Sequence, residues 1–146
     1  MDPVLGPLQR LYEEVINAGR LEVLDELYGP GYVNHIAPFG LSQGIDGLRV
    51  LFGEFASAFP DQHIVADAMY RVDNLAIARW TISGTHKNSF FGVAPTNRRF
   101  TMTGVDIERV EDGRIVEHWG AEDMLALLAQ IRAIEMPEMR WPEHTR

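Results

Sequence analysis

The spacing of the apolar residues changes at Pro60, and this change constrains the fold more than any other feature of the sequence. Before Pro60, leucine and aromatic residues recur at helical spacing in three segments, which begin near Leu5, Leu21 and Asp46. Glycine or proline ends each segment. The first sixty residues are therefore predicted to form three helices, with a short extended piece and a loop between the second and the third.

After Pro60 the pattern becomes one of alternating apolar and polar residues, which is typical of strands. Turn signals separate these segments at Asp73-Asn74, Pro95-Thr96-Asn97 and Asp112-Gly113. Leucines at helical spacing after Asp123 predict one last helix. The predicted strands cover residues 63–72, 75–85, 99–110 and 114–119.

Helices followed by consecutive strands favour an α+β fold, in which a curved antiparallel sheet forms a cone and the N-terminal helices cover its concave face. We expect one domain over residues 1–136 and a tail over 137–146. Side chains do not always fill the space between a bent sheet and its helices, so a small-molecule pocket is expected there.

Composition excludes several classes of function. The 146 residues carry a formal net charge of −8, which disfavours binding to phosphate backbones, so no nucleic-acid partner is expected. The absence of cysteine removes disulfides, thiolate chemistry and the usual structural zinc sites. There is neither a leader-like N-terminus nor an apolar stretch of about 20 residues. We therefore expect no membrane partner and a cytoplasmic location.

A resemblance comes from the run from Ser83 to Asp123, which contains "SGTH", "GVAPT", "RR", "TGVDIERVEDGRIVEHW" and a closing Asp. It resembles the signature of SnoaL-like polyketide cyclases and predicted ester cyclases. Upstream, "YVNH" and "GIDGLRVLFGEFASAFPDQHI" fit the same pattern. The resemblance implies an α+β cone of the nuclear-transport-factor-2-like superfamily, also called cystatin-like. It further implies a cofactor-free aldol closure in which an aspartate acts on an acidic carbon beside carbonyl groups.

Two aspartates compete for this acid/base role. Asp106 lies mid-strand between Val105 and Ile107, where strand alternation does not require a carboxylate, and Asp123 follows the last strand. A carboxylate in a partly dry pocket would have the raised pKa that such chemistry needs. The alternatives are a helix N-cap for Asp123, and an exposed position or an ion pair with an arginine for Asp106. Glu108, in turn, is expected to lie on a solvated face.

The histidines are scattered, without the H-x-H or H-x-x-x-H spacing of metal ligands, so no metal site is expected. His35 and His86 each end an extended segment, and we predict catalytic roles for both at the cavity mouth. The alternative for each is a hydrogen bond to backbone at a strand end. His118 lies on the opposite strand face from Glu117 and Trp119, so at most one of these sets can line the cavity.

Aromatic and amide side chains are predicted to bind the substrate, which is expected to be small, largely apolar and oxygenated. Tyr12 is predicted to face the sheet, where its hydroxyl would need a partner such as a ligand or Asp106. Any single aromatic residue in such a set is more often part of the core. The predicted substrate-binding residues are Tyr12, Asn34, Trp80, Phe90, Phe91, His118 and Trp119.

Three functions remain open at this point. The first is a cyclase or isomerase acting by proton abstraction, the second a hydrolase or dehydratase in which a carboxylate activates water, and the third a non-catalytic binding or dimerisation module. A homodimer through the outer sheet face is also expected, because cones of this kind usually pair in that way. The candidate residues for that face are Thr101, Thr103, Ile107 and Ile115.

Overall fold

The computed structural model describes residues 1–143, and the rest of the predicted tail, with His144, lies outside the described residues. Helix α1 continues as a π-helical segment, and a short 3-10 turn precedes α2. The helices are α1 (Leu5–Arg10), the π-segment (Leu11–Asn17), the 3-10 turn (Leu21–Val23), α2 (Leu24–Leu27), α3 (Ile45–Ala58) and α4 (Met124–Gln130). The strands are β1 (Tyr28–Asn34), β2 (His63–Val72), β3 (Leu75–Thr85), β4 (Arg99–Glu111) and β5 (Arg114–Glu122).

The five strands form one sheet in the order β1-β5-β4-β3-β2. All neighbours are antiparallel except β1 and β5, which are parallel. Irregularities in register lie between Ala66 and Ala68 and between Arg109 and Val110. Such bulges bend a strand and increase its twist, and here they help curve the sheet around the helices. The α+β class and the curved sheet predicted from the sequence are confirmed.

The core lies between the helices and the concave face of the sheet. On β3, the alternating residues Ala76, Ala78, Trp80 and Ile82 are all buried, as expected for a strand with one covered face. From the helical side, Leu8, Leu11, Tyr12 and Val15 contribute buried side chains, and an aromatic cluster fills one end of the core. That cluster contains Phe55, Phe59, Phe90 and Phe100, whose neighbouring ring centroids lie 4.6–5.5 Å apart.

The outer face of the sheet differs from the prediction at one position. Thr101 and Thr103 are exposed and Ile107 is half-buried, as residues of an outer face should be. Ile115, however, is fully buried in the core. Val110 faces inward like Glu108, and the register shift after Arg109 places Ile115 opposite Val110, so Ile115 shares the inward face and cannot belong to the outer face.

The end of the described chain is largely exposed. Beyond α4, the side chains of Met139 and Trp141 are 68% and 65% exposed, and no helix or strand of several residues follows. Within residues 1–143, no helix has both the length and the apolar character that a membrane span requires.

Candidate active site

A cavity lies between the π-segment, helix α3 and the concave face of the sheet. The volume of the cavity that is open to the centres of water-sized molecules is about 80 Å³. A single buried water needs roughly 10–15 Å³ by this measure, so the cavity has room for several waters or a small ligand. It is lined by Leu11, Tyr12, Ile16, Tyr28, Tyr32, Asn34, Ile36, Leu48, Leu51, Phe52, Phe55, Gln62, Ile64, Trp80, Ile82, Met102, Asp106, Glu108, His118 and Glu122.

Asp106 projects into this cavity from the middle of β4. Its Oδ2 atom accepts a hydrogen bond of 2.5 Å from the hydroxyl of Tyr12, which lies on the π-segment. Burial raises the pKa of Asp106 above its ordinary value, although His118, Tyr12 and Trp80 each favour the charged form. Burial raises the pKa of Tyr12 far beyond its ordinary range, so this hydroxyl keeps its proton and donates it to the bond.

The indole of Trp80 lies against the backbone beside Asp106. Trp80 pairs with Gly104 across β3 and β4, and a Cβ atom on Gly104 would lie 2.2 Å from the indole ring. Glycine at position 104 therefore makes room for the indole. The Nε1 atom is buried without an ordinary hydrogen bond to any residue in 1–143, although its N–H is near enough to Asp106 to lower the pKa of that carboxyl. Among residues 1–143, the cavity thus contains a donor that is only weakly engaged, by Asp106.

A second pair of ionisable side chains, Glu108 and His118, lines the cavity beside Asp106. Glu108 on β4 lies opposite His118 on β5, and Glu108 Oε1 is 2.5 Å from His118 Nδ1. The two side chains are 2% and 12% exposed. Burial raises the pKa of Glu108 to about 7, even though the imidazolium beside it opposes this change. Burial alone would lower the pKa of His118, but the Glu108 carboxylate raises it to about 9.

Glu122, near the end of β5, adds a third carboxyl to the cavity wall. It lies opposite Gly104, and burial together with the charge of Asp106 raises its pKa above the ordinary value. With Asp106 and Glu108, this makes three acids around one imidazole. Because like charges in a poorly hydrated space disfavour one another, these carboxyls hold protons more readily than exposed ones.

Three of these side chains could hold a metal ion. Asp106, Glu108 and His118 each offer one ligand atom, and these atoms lie within 4.8 Å of one another. Carboxylate oxygen and imidazole nitrogen are suitable ligands for several divalent ions. However, Glu108 Oε1 is already engaged with the Nδ1 atom of His118, so a metal that uses either of these atoms would have to displace that bond.

Five of the residues predicted for the site do line the cavity. They come from five different elements: Tyr12 from the π-segment, Asn34 from β1, Trp80 from β3, Asp106 from β4 and His118 from β5. Asn34 accepts a hydrogen bond of 2.9 Å from the Ile36 backbone through its Oδ1 atom, which fixes the amide at the cavity wall. The sheet therefore brings together residues that are widely separated in the sequence.

Asp123, the other predicted acid, lies outside the cavity lining. It is the N-cap of α4, where its Oδ1 atom accepts a bond of 3.1 Å from the Ala126 backbone N–H. This is the alternative role that aspartate fills well at a helix start. Of the two candidate acids, only Asp106 reaches the cavity.

His35 and Trp119 also lie away from the cavity. Their rings stack with centroids 4.9 Å apart and an angle of 9° between planes. His35 Nε2 is 2.7 Å from Glu117 Oε2, and Glu117 in turn bonds Arg109. Strand alternation explains the arrangement, because Glu117 and Trp119 point to the face of β5 opposite to His118. The predicted catalytic role of His35 at the cavity mouth is not supported by this placement.

Phe90 belongs to the aromatic cluster, His86 and Phe91 lie beside it, and none of the three lines the cavity. His86 is fully buried, with Nδ1 3.1 Å from Thr96 Oγ1 and its ring centroid 5.7 Å from that of Phe59. Phe90 is fully buried in the core, and Phe91 packs against it. The bridge between Phe90 and Val93, and the hydrogen bond from the Phe91 backbone N–H to Glu54 Oε2, hold this segment against helix α3.

The sequence prediction missed two acids of the site. Glu108 was expected to be solvated, but it is buried in the cavity wall, and Glu122 was not considered. Period-two alternation along β4 puts Met102, Gly104, Asp106 and Glu108 on one face, so a single further step from Asp106 would have identified Glu108. Glu122 lies beyond the predicted end of the last strand at residue 119, so the pattern gave no such signal for it.

Comparisons with known proteins agree with this architecture. The sequence model of the family described as SnoaL-like polyketide cyclase matches residues 7–131. Nogalonic acid methyl ester cyclase of Streptomyces nogalater is 27% identical over 131 residues, which is 79% of this chain and 87% of that protein.

Two solved structures extend the comparison. IdmH from Streptomyces antibioticus, assigned as a polyketide cyclase, is 35% identical with a TM-score of 0.75, over 90% of this chain and 99% of that chain. TsrD from Streptomyces laurentii is 30% identical with a TM-score of 0.76, over 88% and 97%. These likenesses, together with the match over most of its length, show that the chain belongs to the SnoaL-like polyketide cyclase family.

Proposed function

We propose that the protein is a cofactor-free enzyme that catalyses an aldol-type cyclisation or an isomerisation beside a carbonyl group. Asp106 is the general base that removes a proton from the acidic carbon. The observation that carries this proposal is the position of the Asp106 carboxyl, which lies in the cavity with a raised pKa and a hydrogen bond from Tyr12. A carboxylate there is a stronger base than one in water, because it has lost part of its hydration.

Proton abstraction beside a carbonyl leaves negative charge on the carbonyl oxygen, and a fixed donor is needed to stabilise it. The N–H of Trp80 meets this requirement, since it lines the cavity, lies beside Asp106 and has no ordinary hydrogen bond to a described residue. A substrate carbonyl placed between the indole and the carboxylate would give both residues a partner. Tyr12 then serves to orient the carboxylate rather than to contact the reacting carbon.

The remaining lining suits a small substrate that is largely apolar but carries oxygen. Leu48, Leu51, Phe52 and Phe55 on helix α3 offer hydrocarbon surface on one side. Facing them, Tyr28, Tyr32, Asn34 and Gln62 offer polar groups that could bind hydroxyl or carbonyl oxygens. The name of the Streptomyces nogalater relative, a methyl ester cyclase, supports an ester as the first substrate to test, and proton abstraction beside a carbonyl favours a β-dicarbonyl ester, whose central carbon is acidic.

The test is turnover of a β-keto ester that carries a second carbonyl within reach for ring closure. We expect the wild-type protein to cyclise it and Asp106→Asn to lose about 10²–10⁴-fold in kcat/KM, the contribution usual for a general base. Asp67→Asn is the matched control, because Asp67 is exposed and bonds Thr81 away from the cavity. Equal turnover by the wild type and Asp106→Asn would contradict the proposal.

We further propose that two copies pair through the outer face of the sheet in the cytoplasm. This face presents the exposed side chains of Val65 and Val105 near Thr101 and Thr103, a mixture that a second copy could cover. Sedimentation of the wild type and of Val105→Glu tests the pairing. A dimer that becomes a monomer in the variant is the expected result, and a monomeric wild type would contradict it.

A further inference from the structure

Proton abstraction by Asp106 alone does not use the Glu108–His118 pair, although both residues line the same cavity. Register places the two residues opposite each other on β4 and β5, and Nδ1 of His118 is committed to Glu108 at 2.5 Å. The other ring nitrogen, Nε2, makes no hydrogen bond to any residue in 1–143, and the side chain keeps 12% exposure at the cavity. Glu108 therefore fixes one edge of the imidazole and leaves the other edge available to a ligand.

Ring closure requires two proton transfers at different atoms. A base must take a proton from carbon, and the accepting carbonyl must gain one as its oxygen becomes an alkoxide. Once Asp106 has taken the first proton, its Oδ2 atom remains engaged by the hydrogen bond from Tyr12, while the accepting carbonyl still needs a donor. A second group on the same wall of the cavity is better placed to supply the other proton.

We propose that His118, held by Glu108, is the general acid that protonates the accepting carbonyl, while Asp106 is the base. This inference rests on the proposed function. The C–H bond breaks and its proton moves to Asp106, and the electron pair forms the new C–C bond. The π electrons of the accepting carbonyl move to oxygen, which takes the proton from Nε2 of His118. The proton on Asp106 then passes to the neutral imidazole, so no proton is gained or lost overall.

The surroundings of His118 keep it charged at neutral pH. Glu108 and Asp106 face it from β4, and Glu122 faces it from its own strand. From β1, the polar residue Asn34 lies next to it in register. The three carboxyls raise the pKa of His118 to about 9 against the effect of burial, so the imidazolium is present before the substrate binds. The same carboxyls lie close enough to exchange protons with the imidazole once the reaction is complete.

A purely structural ion pair is the competing interpretation. Buried ion pairs often contribute little net stability, because the loss of hydration offsets the attraction between the charges. Here the pair is also incompletely satisfied, since Glu108 Oε2 is buried without a hydrogen bond to any described residue. A buried oxygen without a hydrogen bond destabilises the fold, which a purely structural role does not explain. Beside a group that exchanges protons, such an oxygen has a use.

Two reactions separate the roles of the two residues. The first is hydrogen–deuterium exchange at the acidic carbon of a β-keto ester that has no accepting carbonyl, and the second is closure of the ester that has one. We expect the wild type to catalyse both and Asp106→Asn to catalyse neither. His118→Gln should lose about 10²-fold or more in closure, while its exchange rate falls by less than about tenfold. His63→Gln, at an exposed imidazole, is the control and should resemble the wild type in both.

Each outcome decides one part of the account. Absence of exchange with the wild type contradicts the proposed function itself. Exchange by the wild type together with equal losses of exchange and closure in His118→Gln, or no loss of either, overturns the role of His118.

Glu108→Gln supplies a second readout, which is decisive if His118→Gln does not fold. Removing the carboxylate lowers the pKa of His118, so the alkaline limb of the closure rate should move to lower pH while exchange keeps its profile. An unmoved alkaline limb overturns the inference.

Discussion

The hydroxyl of Tyr12 lies 2.5 Å from Oδ2 of Asp106, and this bond joins the π-segment to the middle of β4. The π-segment departs from ordinary helix geometry, as the bond from the Ala18 backbone to the Glu13 carbonyl at 3.1 Å shows. Such wide turns occur often at functional sites. Here the wide turn carries the residue that holds the candidate base.

Replacing Tyr12 by phenylalanine removes the donor to Asp106. The charged carboxylate then loses a favourable contact, so the pKa of Asp106 should rise and the acid limb of kcat/KM should move to higher pH. Stability should fall by about 1.5–3 kcal/mol, the usual contribution of a hydrogen bond to a charged group. Rate profiles over pH and urea unfolding measure the two effects.

The control for this variant is Tyr32→Phe, because Tyr32 lines the same cavity but its hydroxyl has no hydrogen bond to a carboxylate among residues 1–143. An acid limb that stays in place in Tyr12→Phe, or moves equally in Tyr32→Phe, would contradict the assigned role.

Asp123 provides a contrast between capping and catalysis. Asp123→Ala removes the N-cap of α4 and should lower the free energy of unfolding by about 1 kcal/mol, whereas Asp123→Asn keeps a capping oxygen and should change it little. Neither variant should lose activity beyond what reduced folding explains, because Asp123 does not line the cavity. Thermal unfolding and turnover, measured side by side, check this, and a large activity loss in Asp123→Asn with normal stability would refute it.

Gly104 makes room for the Trp80 indole, and a methyl group at that position tests the contact. The added Cβ would lie 2.2 Å from the indole, so Gly104→Ala should displace the ring and destabilise the fold by about 1–3 kcal/mol. Cyclisation should also fall, since the indole N–H would lose its position beside Asp106. Gly53→Ala in α3 is the control, because a Cβ there meets nothing within 4 Å and alanine favours the helix. Equal stability in the two variants would argue against this contact.

The fold could be predicted largely from the sequence because its signals are local. The turns at Asp73 and Asp112 have residues in the left-handed region, as the asparagine, aspartate and glycine content of these segments indicated. Strand alternation also placed His118 and Trp119 on opposite faces, and only His118 lines the cavity. What local signals could not give was the bulge after Arg109, which buries Ile115.

The site was predictable only where strand periodicity applied. Asp106 stood out because a carboxylate between two β-branched residues is unusual, and the cavity contains it. His35 and His86 were predicted from their positions at the ends of extended segments, where the path of the following loop decides the direction of the side chain. That path depends on distant packing, such as the stacking of His35 on Trp119, which no local pattern encodes.

The Glu108–His118 pair should make stability depend on pH. The folded pKa of His118 is about 9 against an ordinary 6.5, so its stabilising contribution is complete below pH 6.5 and is lost as pH rises to 9. The raised pKa of Glu108, about 7, acts in the same direction between pH 4.5 and 7. The free energy of unfolding should therefore fall from pH 7 to 9 by at most about 3 kcal/mol.

The double variant Glu108→Gln/His118→Gln should lose most of this slope, as urea unfolding at several pH values would show. A slope between pH 7 and 9 that persists unchanged in the double variant would mean that other groups cause it.

The most direct test is a carbon-13 NMR titration of the Asp106 carboxyl, assigned by comparison with Asp106→Asn and repeated with a bound β-dicarbonyl analogue. We predict a pKa above the ordinary aspartate value and a carboxyl resonance that shifts when the analogue binds. A pKa at or below the ordinary value, with a resonance that the analogue leaves unchanged, would contradict the assignment of Asp106 as the base.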